Sequence, residues 1–383
     1  MSAHHFRSGT ATKVPFGQRI RDWWNGLSRF HQWAIIIPVV VLVYLMPFLN
    51  FFPITTEPGT DFELALFNTA RIVLIAIGLN VVVGQAGLLD LGYVGFFAIG
   101  AYVAALMTSR DSALYAEYPW LLVVVVGIAV TMVSGVIIGT PTLRLRGDYL
   151  AIVTLGFGEI VRLLADNIPA LRGNVGFRNL ERPPGEWSDG TRIFTQGDGI
   201  PWYWLTVTAI IAVLILVGNL ERSRVGRAWV AIREDEDAAE IMGVPTFRFK
   251  VWAFVIGAAI GGLSGVLYAG QLGFVNNARF DVVTSVLFLA AVILGGSGNK
   301  VGVILGAIVI AYTPERFQVV SEYRYLIFGL ALIVLMIFRP QGLLGARQRL
   351  LARGRQAYKR LVGKPEPVST ESPMKDSGKG TGA

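Results

Sequence analysis

GRAWVAIREDEDAAEIMGVPTFRFK, residues 226–250, is a polar stretch set between two long apolar runs, 202–220 and 251–275. It reads as a helix of about four turns, by the 3.6-residue period. Its small face, Asp237-Ala238-Ala239 with Gly243 four positions on, is flanked by charge. Gly243 and Pro245 supply the helix stop. A membrane protein has little reason to hold such a close-approach face in a solvated loop unless something docks there. The stretch therefore reads as a surface for a soluble motor, and the rest of the chain as a passive membrane channel that the motor drives.

Composition places the chain in that class. Hydrophobic residues make up 53% and charged residues 16%, with mean hydropathy +0.55, a polytopic membrane balance. The chain has no cysteine, so disulfide and thiolate chemistry are excluded. Its three histidines, His4, His5 and His31, precede or open the first apolar run, and no His, Cys or carboxylate cluster has metal-ligand spacing. The net charge of +8 would suggest nucleic acid in a soluble protein. In a membrane protein its location matters more than its sum, and lipid is the expected neighbour.

The first apolar run, Trp33–Phe52, is long enough to span hydrocarbon. It follows a basic leader too long for a signal peptide and lacks a small-x-small cleavage site, so it reads as an uncleaved first span. Further apolar segments cover 65–84, 88–108, 120–141, 149–165, 202–220, 251–275, 283–296, 300–314 and 324–339. The pair 283–296 and 300–314 is short enough to be two spans or one broken element.

The expectation is an all-α polytopic membrane protein with about ten transmembrane segments, including short or broken helices. Orientation follows from basic residues. With the amino terminus inside, the inner segments are 1–32, 142–148, 221–250, the 297–300 turn and the tail from Arg339. They hold 24 of the 34 Lys and Arg residues, which puts both termini in the cytoplasm. The domains expected are a cytoplasmic segment 1–32, a permease domain 33–339 and a basic, largely disordered tail 340–383. Within the permease domain, 166–201 is the long outer connection, a mobile loop or a docking lip for an outside partner. Its Trp187, with Trp202 and Trp204 beyond it, suits the membrane interface. Residues 221–250 are the inner coupling loop.

Small residues recur every fourth position at Gly135 and Gly139, Gly257, Gly261 and Gly265, and Gly302 and Gly306. Such faces let helix backbones approach closely in lipid, and could also slide during gating. Two glycine-rich breaks are more specific: Gly84-Gln85-Ala86-Gly87 and Gly295-Gly296-Ser297-Gly298. Each follows an apolar run and precedes another. Backbone breaks at membrane depth must be buried in protein or line a cavity, and transporters use them to offer backbone groups to substrate. These eight residues are the substrate-path candidates; the alternative is a pair of ordinary tight turns. Ionisable groups within the spans are few. Arg71, Glu159 and Arg162 form the expected intramembrane cluster, with Glu159 and Arg162 three apart on one helix and Arg71 a second cation for Glu159. Asp90 is the other buried acid candidate.

No element offers catalysis. There is no phosphate-binding G-x-x-x-x-G-K-[ST] loop and no nucleophile with an evident base. The chain should bind no cofactor itself, so uphill transport would draw on another polypeptide or an ion gradient.

Five blocks in order resemble the LivM-type permease subunit of branched-chain amino-acid ABC importers: GLNVVVGQAGLLDLGYVGFFAIGAYVAALM (78–107), LRLRGDYLAIVTLGFGEIVRLL (143–164), GRAWVAIREDEDAAEIMGV (226–244), AVILGGSG (291–298) and IFRPQGLLG (337–345). The resemblance spans about Phe67 to Leu344. It implies a bacterial plasma-membrane (inner-membrane) importer whose pore is shared with a second, homologous LivH-like permease. It further implies two cytoplasmic ABC ATPases carrying ATP and Mg, and an extracytoplasmic substrate-binding protein. The 237–243 block is similar to the E-A-A-x-x-x-G coupling signature, with Asp237 in place of Glu. ATPase coupling is thereby assigned to Arg227, Asp237, Ala238, Ala239 and Gly243. Where LivM-like chains show T-G-G-x-x-G, this chain reads Arg172-Gly173-Asn174-Val175-Gly176-Phe177, which loosens the substrate assignment. A urea, amide or broad amino-acid importer is the near alternative. An ion-coupled carrier working through Asp90 and Glu159, or a scaffold without transport, would be different classes.

Overall fold

Hydrocarbon offers no partner to a free N–H or C=O, so apolar stretches of this length fold as helices. The computed structural model describes residues 29–49, 56, 61–317 apart from 113, 117, 146, 187 and 189, 322–338, and 342. His4 and His5, Trp187, most of 1–32 and the tail 343–383 lie outside the described residues. The described residues all fall in one compact unit.

Each of the ten apolar segments carries a helix. In chain order these are α1 (Arg29–Leu45), α2 (Phe62–Leu79), α3 (Tyr93–Thr108), α4 (Trp120–Thr142), α5 (Asp148–Asn167) and α6 (Gly199–Arg222). The polar stretch gives α7 (Arg224–Glu234) and α8 (Glu236–Ile241), and the chain continues as α9 (Thr246–Leu272), α10 (Val282–Gly295), α11 (Lys300–Arg316) and α12 (Arg324–Phe338). Among the described residues, five stretches are long and apolar enough to cross a bilayer: Phe62–Gln85, Trp120–Thr142, Gly199–Arg222, Thr246–Leu272 and Asn277–Gly295. Shorter apolar helices are Ile36–Phe48, Tyr93–Thr108 and Tyr325–Val334. The fold is an α-helical polytopic bundle, with one two-residue ribbon: β1 (Phe177–Arg178) pairs antiparallel with β2 (Phe274–Val275).

The small-residue faces set the helix directions. On α4 and α9, Gly127 lies against Val266, Thr131 against Gly262, Gly135 against Ala258 and Gly139 against Phe254. One set of numbers rises by four as the other falls by four, so these helices pack antiparallel with backbones in close approach. The Thr131 hydroxyl donates to Gly127 O (2.9 Å) and Ile128 O (2.8 Å), so it leaves no unpaired group at the crossing. α3 runs parallel to α9: Gly261 faces Tyr93 and Phe96, Gly265 faces Phe97 and Ala101, and Tyr93 Oη donates to Gly257 O at 2.7 Å. α2 and α6 are parallel, their register fixed by Glu63 against Gly199 at one end and Gln85 bonded to Glu221 at the other.

Two expectations change, and the open alternative for 283–314 is resolved. The 226–250 helix is two helices and the start of a third. Asp235 leaves helical geometry (φ −161°, ψ 109°), and its carboxylate accepts Ala238 N–H at 3.0 Å, capping α8 instead of continuing α7. Residues 283–314 form a helical hairpin, since Gly295 packs on Gly302 and Val303, and Gly306 on Ala291 and Gly295. Trp202 is core, not interface: it is fully buried, its Nε1 donates to Thr195 O (3.0 Å), and its ring meets Phe67, Trp120 and Phe194. The 166–201 connection is accordingly packed onto the bundle through Trp202 and the β1–β2 ribbon.

Replacing Asp235 with Ala removes the α8 cap, worth about 1 kcal/mol. Amides of residues 238–242 should then exchange with solvent roughly fivefold faster, read by hydrogen exchange; unchanged exchange would mean α8 does not depend on the cap.

Candidate functional site

α2 does not simply end. Its last turn widens at Asn80–Gln85, where Ala86 N–H reaches Val81 O (3.2 Å) and Leu88 N–H reaches Val82 O (3.1 Å). The widened turn meets the α10–α11 turn. Asn80 Oδ1 accepts Gly298 N–H at 2.8 Å, and Arg233 of α7 donates through Nη1 to Gly84 O. No side chain fits between them. A Cβ at Gly84 would strike Asn80 and the Gly298 backbone, one at Gly298 (φ +84°) would strike Arg233 Nη1, and one at Gly87 (φ +75°) would stand 2.9 Å from Arg233 Cγ. Beside this contact, Gln85 Nε2 donates to Glu221 Oε1 of α6, and Lys300 Nζ lies 2.8 Å from Glu221 Oε2. Two breaks more than 200 residues apart in sequence thus share one polar node with the end of α7.

Of the eight path candidates, Gly84, Gln85, Ala86, Gly295 and Gly296 are buried, Gly298 is half-buried, and Gly87 and Ser297 are exposed. Gly84 O and Gly298 N–H, groups the breaks were expected to offer to substrate, are taken by Arg233 and Asn80. Sequence reasoning missed Asn80, Glu221, Arg233 and Lys300 as members. The available signal was Asn80, a lone amide inside an apolar run directly before a break.

The α7–α8 pair is fixed to the bundle. Trp229 is fully buried with Nε1 donating to Phe249 O (2.7 Å), and buried Lys250 pairs with Glu236. α8 closes on Gly243 (φ +84°), with Gly243 N–H to Glu240 O (2.9 Å) and Val244 N–H to Ala239 O (3.0 Å), the double bond pattern of a left-handed helix cap. Of the coupling candidates, Arg227, Asp237, Ala238 and Gly243 are exposed, whereas Ala239 is buried inside the subunit. Ile241 and Met242 are 85% and 83% exposed. Neither is among the coupling residues expected from sequence, although both are bulky apolar residues beside a helix stop.

The charge cluster divides. Arg162 Nε donates to both Glu159 carboxylate oxygens at 3.0 Å, a half-buried pair within α5. Arg71 is elsewhere, over the rings of Phe97 and Tyr268. Side-chain direction on the helix, which depth along the sequence does not give, separates them. An open groove of about 460 Å³ lies between α1, α2, α6 and α11, lined by Val43, Ala70, Val207, Ile211 and Ile304 among others. Its almost wholly apolar wall suits hydrocarbon and offers little to a polar solute.

Residues 63–336 match the family described as branched-chain amino acid transport system / permease component. The chain is 40% identical over 290 residues to the high-affinity branched-chain amino acid transport system permease protein LivM of Salmonella typhimurium, covering 71% of this chain and 67% of that one. It is 37% identical to LivM of Escherichia coli K12 over 335 residues, 83% of this chain and 76% of that one. LivH of the same organism, also a permease protein of the high-affinity system, is 27% identical over 71% of this chain and 90% of its own length. No solved structure matches. With its helical bundle and its family match over most of its length, the chain belongs to the permease-component family of branched-chain amino acid transport systems.

Proposed function

We propose that this chain is a multi-pass inner-membrane permease subunit of an ATP-driven ABC importer, forming part of the path for leucine, isoleucine and valine. It pairs with a LivH-like permease, receives substrate from an extracytoplasmic binding protein, and is driven by two cytoplasmic ATPases that carry ATP and Mg. In this reading the chain crosses the membrane about ten times with both termini cytoplasmic, 166–201 lies outside, and α7–α8 faces the ATPases through Arg227, Asp237, Ala238 and Gly243. The observation that carries it is the node: Arg233, at the end of the solvated lever, holds both glycine breaks. A push on α8 is delivered to the two places where the helical spans are interrupted.

The exposed Ile241 and Met242 supply the apolar anchor of the ATPase contact, since buried bulky side chains dominate interface energy. Ile241→Asp should weaken ATPase association by roughly tenfold or more, read by co-purification and binding titration, with the subunit still in the membrane. Wild-type association would remove α8 from the interface. The function itself is tested by leucine uptake into proteoliposomes holding all the subunits with ATP inside. Uptake must require this chain, ATP and the binding protein together. Uptake without ATP would contradict the assignment.

A further inference from the structure

Arg71 is not used by the node and has no counter-ion among the described residues. It lies within α2, and its Nε is sealed from solvent with no hydrogen-bond partner. Among the described residues no carboxylate makes an ion pair with it. Glu315, whose charge acts on it, instead accepts a 3.4 Å bond from Asn68, and Arg279 adds a like charge. Its contacts are ring faces: Cζ is 4.7 Å from the Tyr268 centroid and 5.5 Å from that of Phe97. Ring faces recover only part of what water gives a guanidinium, and an unpaired cation at membrane depth marks a site. Arg71 as a whole is half-buried in the subunit, while the rings beside it are closed over.

The surroundings define what solute. Phe97, Tyr268 and Phe280 form one buried aromatic cluster, with centroids 5.2, 5.5 and 6.4 Å apart, and Tyr102 packs on Phe280 at 5.8 Å. Two further buried polar atoms lack partners: Tyr102 Oη, whose ring packs on Phe280, and Asn277 Oδ1, in the turn whose backbone carbonyl accepts Phe280 N–H at 3.2 Å. The orphans therefore comprise a cationic donor, a hydroxyl and a neutral acceptor, beside a wall of aromatic carbon. We infer that, when this closed cluster opens during transport, Arg71 anchors the carboxylate of a passing α-amino acid zwitterion, with Tyr102 as second donor, Asn277 as acceptor for the ammonium group, and the aliphatic side chain against Phe97 and Phe280. This rests on the importer reading and names its substrate subsite in this chain.

The chain has no cysteine, so Arg71→Cys introduces its one thiol. In proteoliposomes with cysteine-free companion subunits, Arg71→Cys and Arg71→Met should lower leucine uptake by roughly ten- to hundredfold, the worth of one charged hydrogen bond. Aminoethyl methanethiosulfonate, which restores a cation, should recover uptake, whereas the neutral methyl reagent should not. Leucine should slow labelling of the thiol, and leucinamide, which lacks the carboxylate, should not. Wild-type uptake by the variants, or equal effects of leucine and leucinamide on labelling, would overturn the inference. If neither variant assembles, Arg71→Lys keeps the charge but not the planar fork and should lose uptake severalfold; unchanged uptake would overturn it equally. If the unmodified complex fails to import leucine, the importer reading fails first. Import by the unmodified complex with indifferent Arg71 variants sinks only this inference.

Discussion

Arg233→Ala will leave the subunit inserted and assembled yet lower ATP-driven uptake by roughly tenfold or more, the cost of a lost charged hydrogen bond in a buried contact. Arg233 donates to Gly84 O and packs against Gly87 and Gly298. Among the described residues, Arg233 is the side chain that donates to Gly84 O. Without it α7 keeps its buried Trp229 and the Lys250–Glu236 tie, so the lever still folds and docks. What is lost is transmission. ATP hydrolysis and solute uptake measured in the same vesicles should separate, with more ATP consumed per solute moved. Arg233→Lys reaches the same carbonyl with a single-point donor and should recover part of the uptake. Uptake equal to wild type in Arg233→Ala would show that the node is packing only.

Gly262→Leu will prevent the bundle from forming. A Cβ at Gly262 would stand 2.5 Å from Thr131 Cγ2 and 2.8 Å from Thr131 Cβ, while on another side Gly100 already presses its backbone against Gly262. α9 is therefore held between α3 and α4 at backbone distance, with no flexible side chain to move aside. Overpacking at such a crossing costs about 3 kcal/mol or more, a large share of a marginal stability. Expressed subunit should disappear from the monodisperse detergent-extracted fraction. Gly156→Leu is the matched control on α5, where an added Cβ meets nothing within 4 Å, and it should be recovered at wild-type level. Equal recovery of both variants would refute the close-packed register of α4 and α9.

That register was partly legible in the sequence. Gly135 and Gly139 announce by their spacing of four the α4 face of that register, whereas Gly257, Gly261 and Gly265 announce a different α9 face, the one that packs on α3. The sequence does not say which face meets which, because a glycine carries no information about its partner. The apolar runs likewise marked every helix of the bundle, since length and hydropathy suffice where backbone must pair with itself. Boundaries went astray where polar side chains intervene. Asp235 ends α7 by capping α8, and the apolar run from Leu88 opens with an irregular stretch, helix beginning only at Tyr93. The node was half visible: both breaks were legible as glycine clusters, but their meeting through Arg233 and Asn80 is a tertiary fact. Arg71 and Glu159 show the converse error, where shared depth along two helices was taken for contact although the side chains point to different neighbours.

The most direct test of the account is whether lever and breaks move as one body. Glu234, at the end of α7, and Ser297, in the α10–α11 turn, are both exposed, and the cysteine-free chain accepts a spin label at each as Glu234→Cys and Ser297→Cys. The distance between the labels, read by dipolar spectroscopy in the reconstituted complex, should remain the same with and without bound ATP, while the distance from either to a label at exposed Val175 changes. A Glu234–Ser297 distance that shifts on ATP binding would mean the lever slides free of the breaks, and would contradict the account.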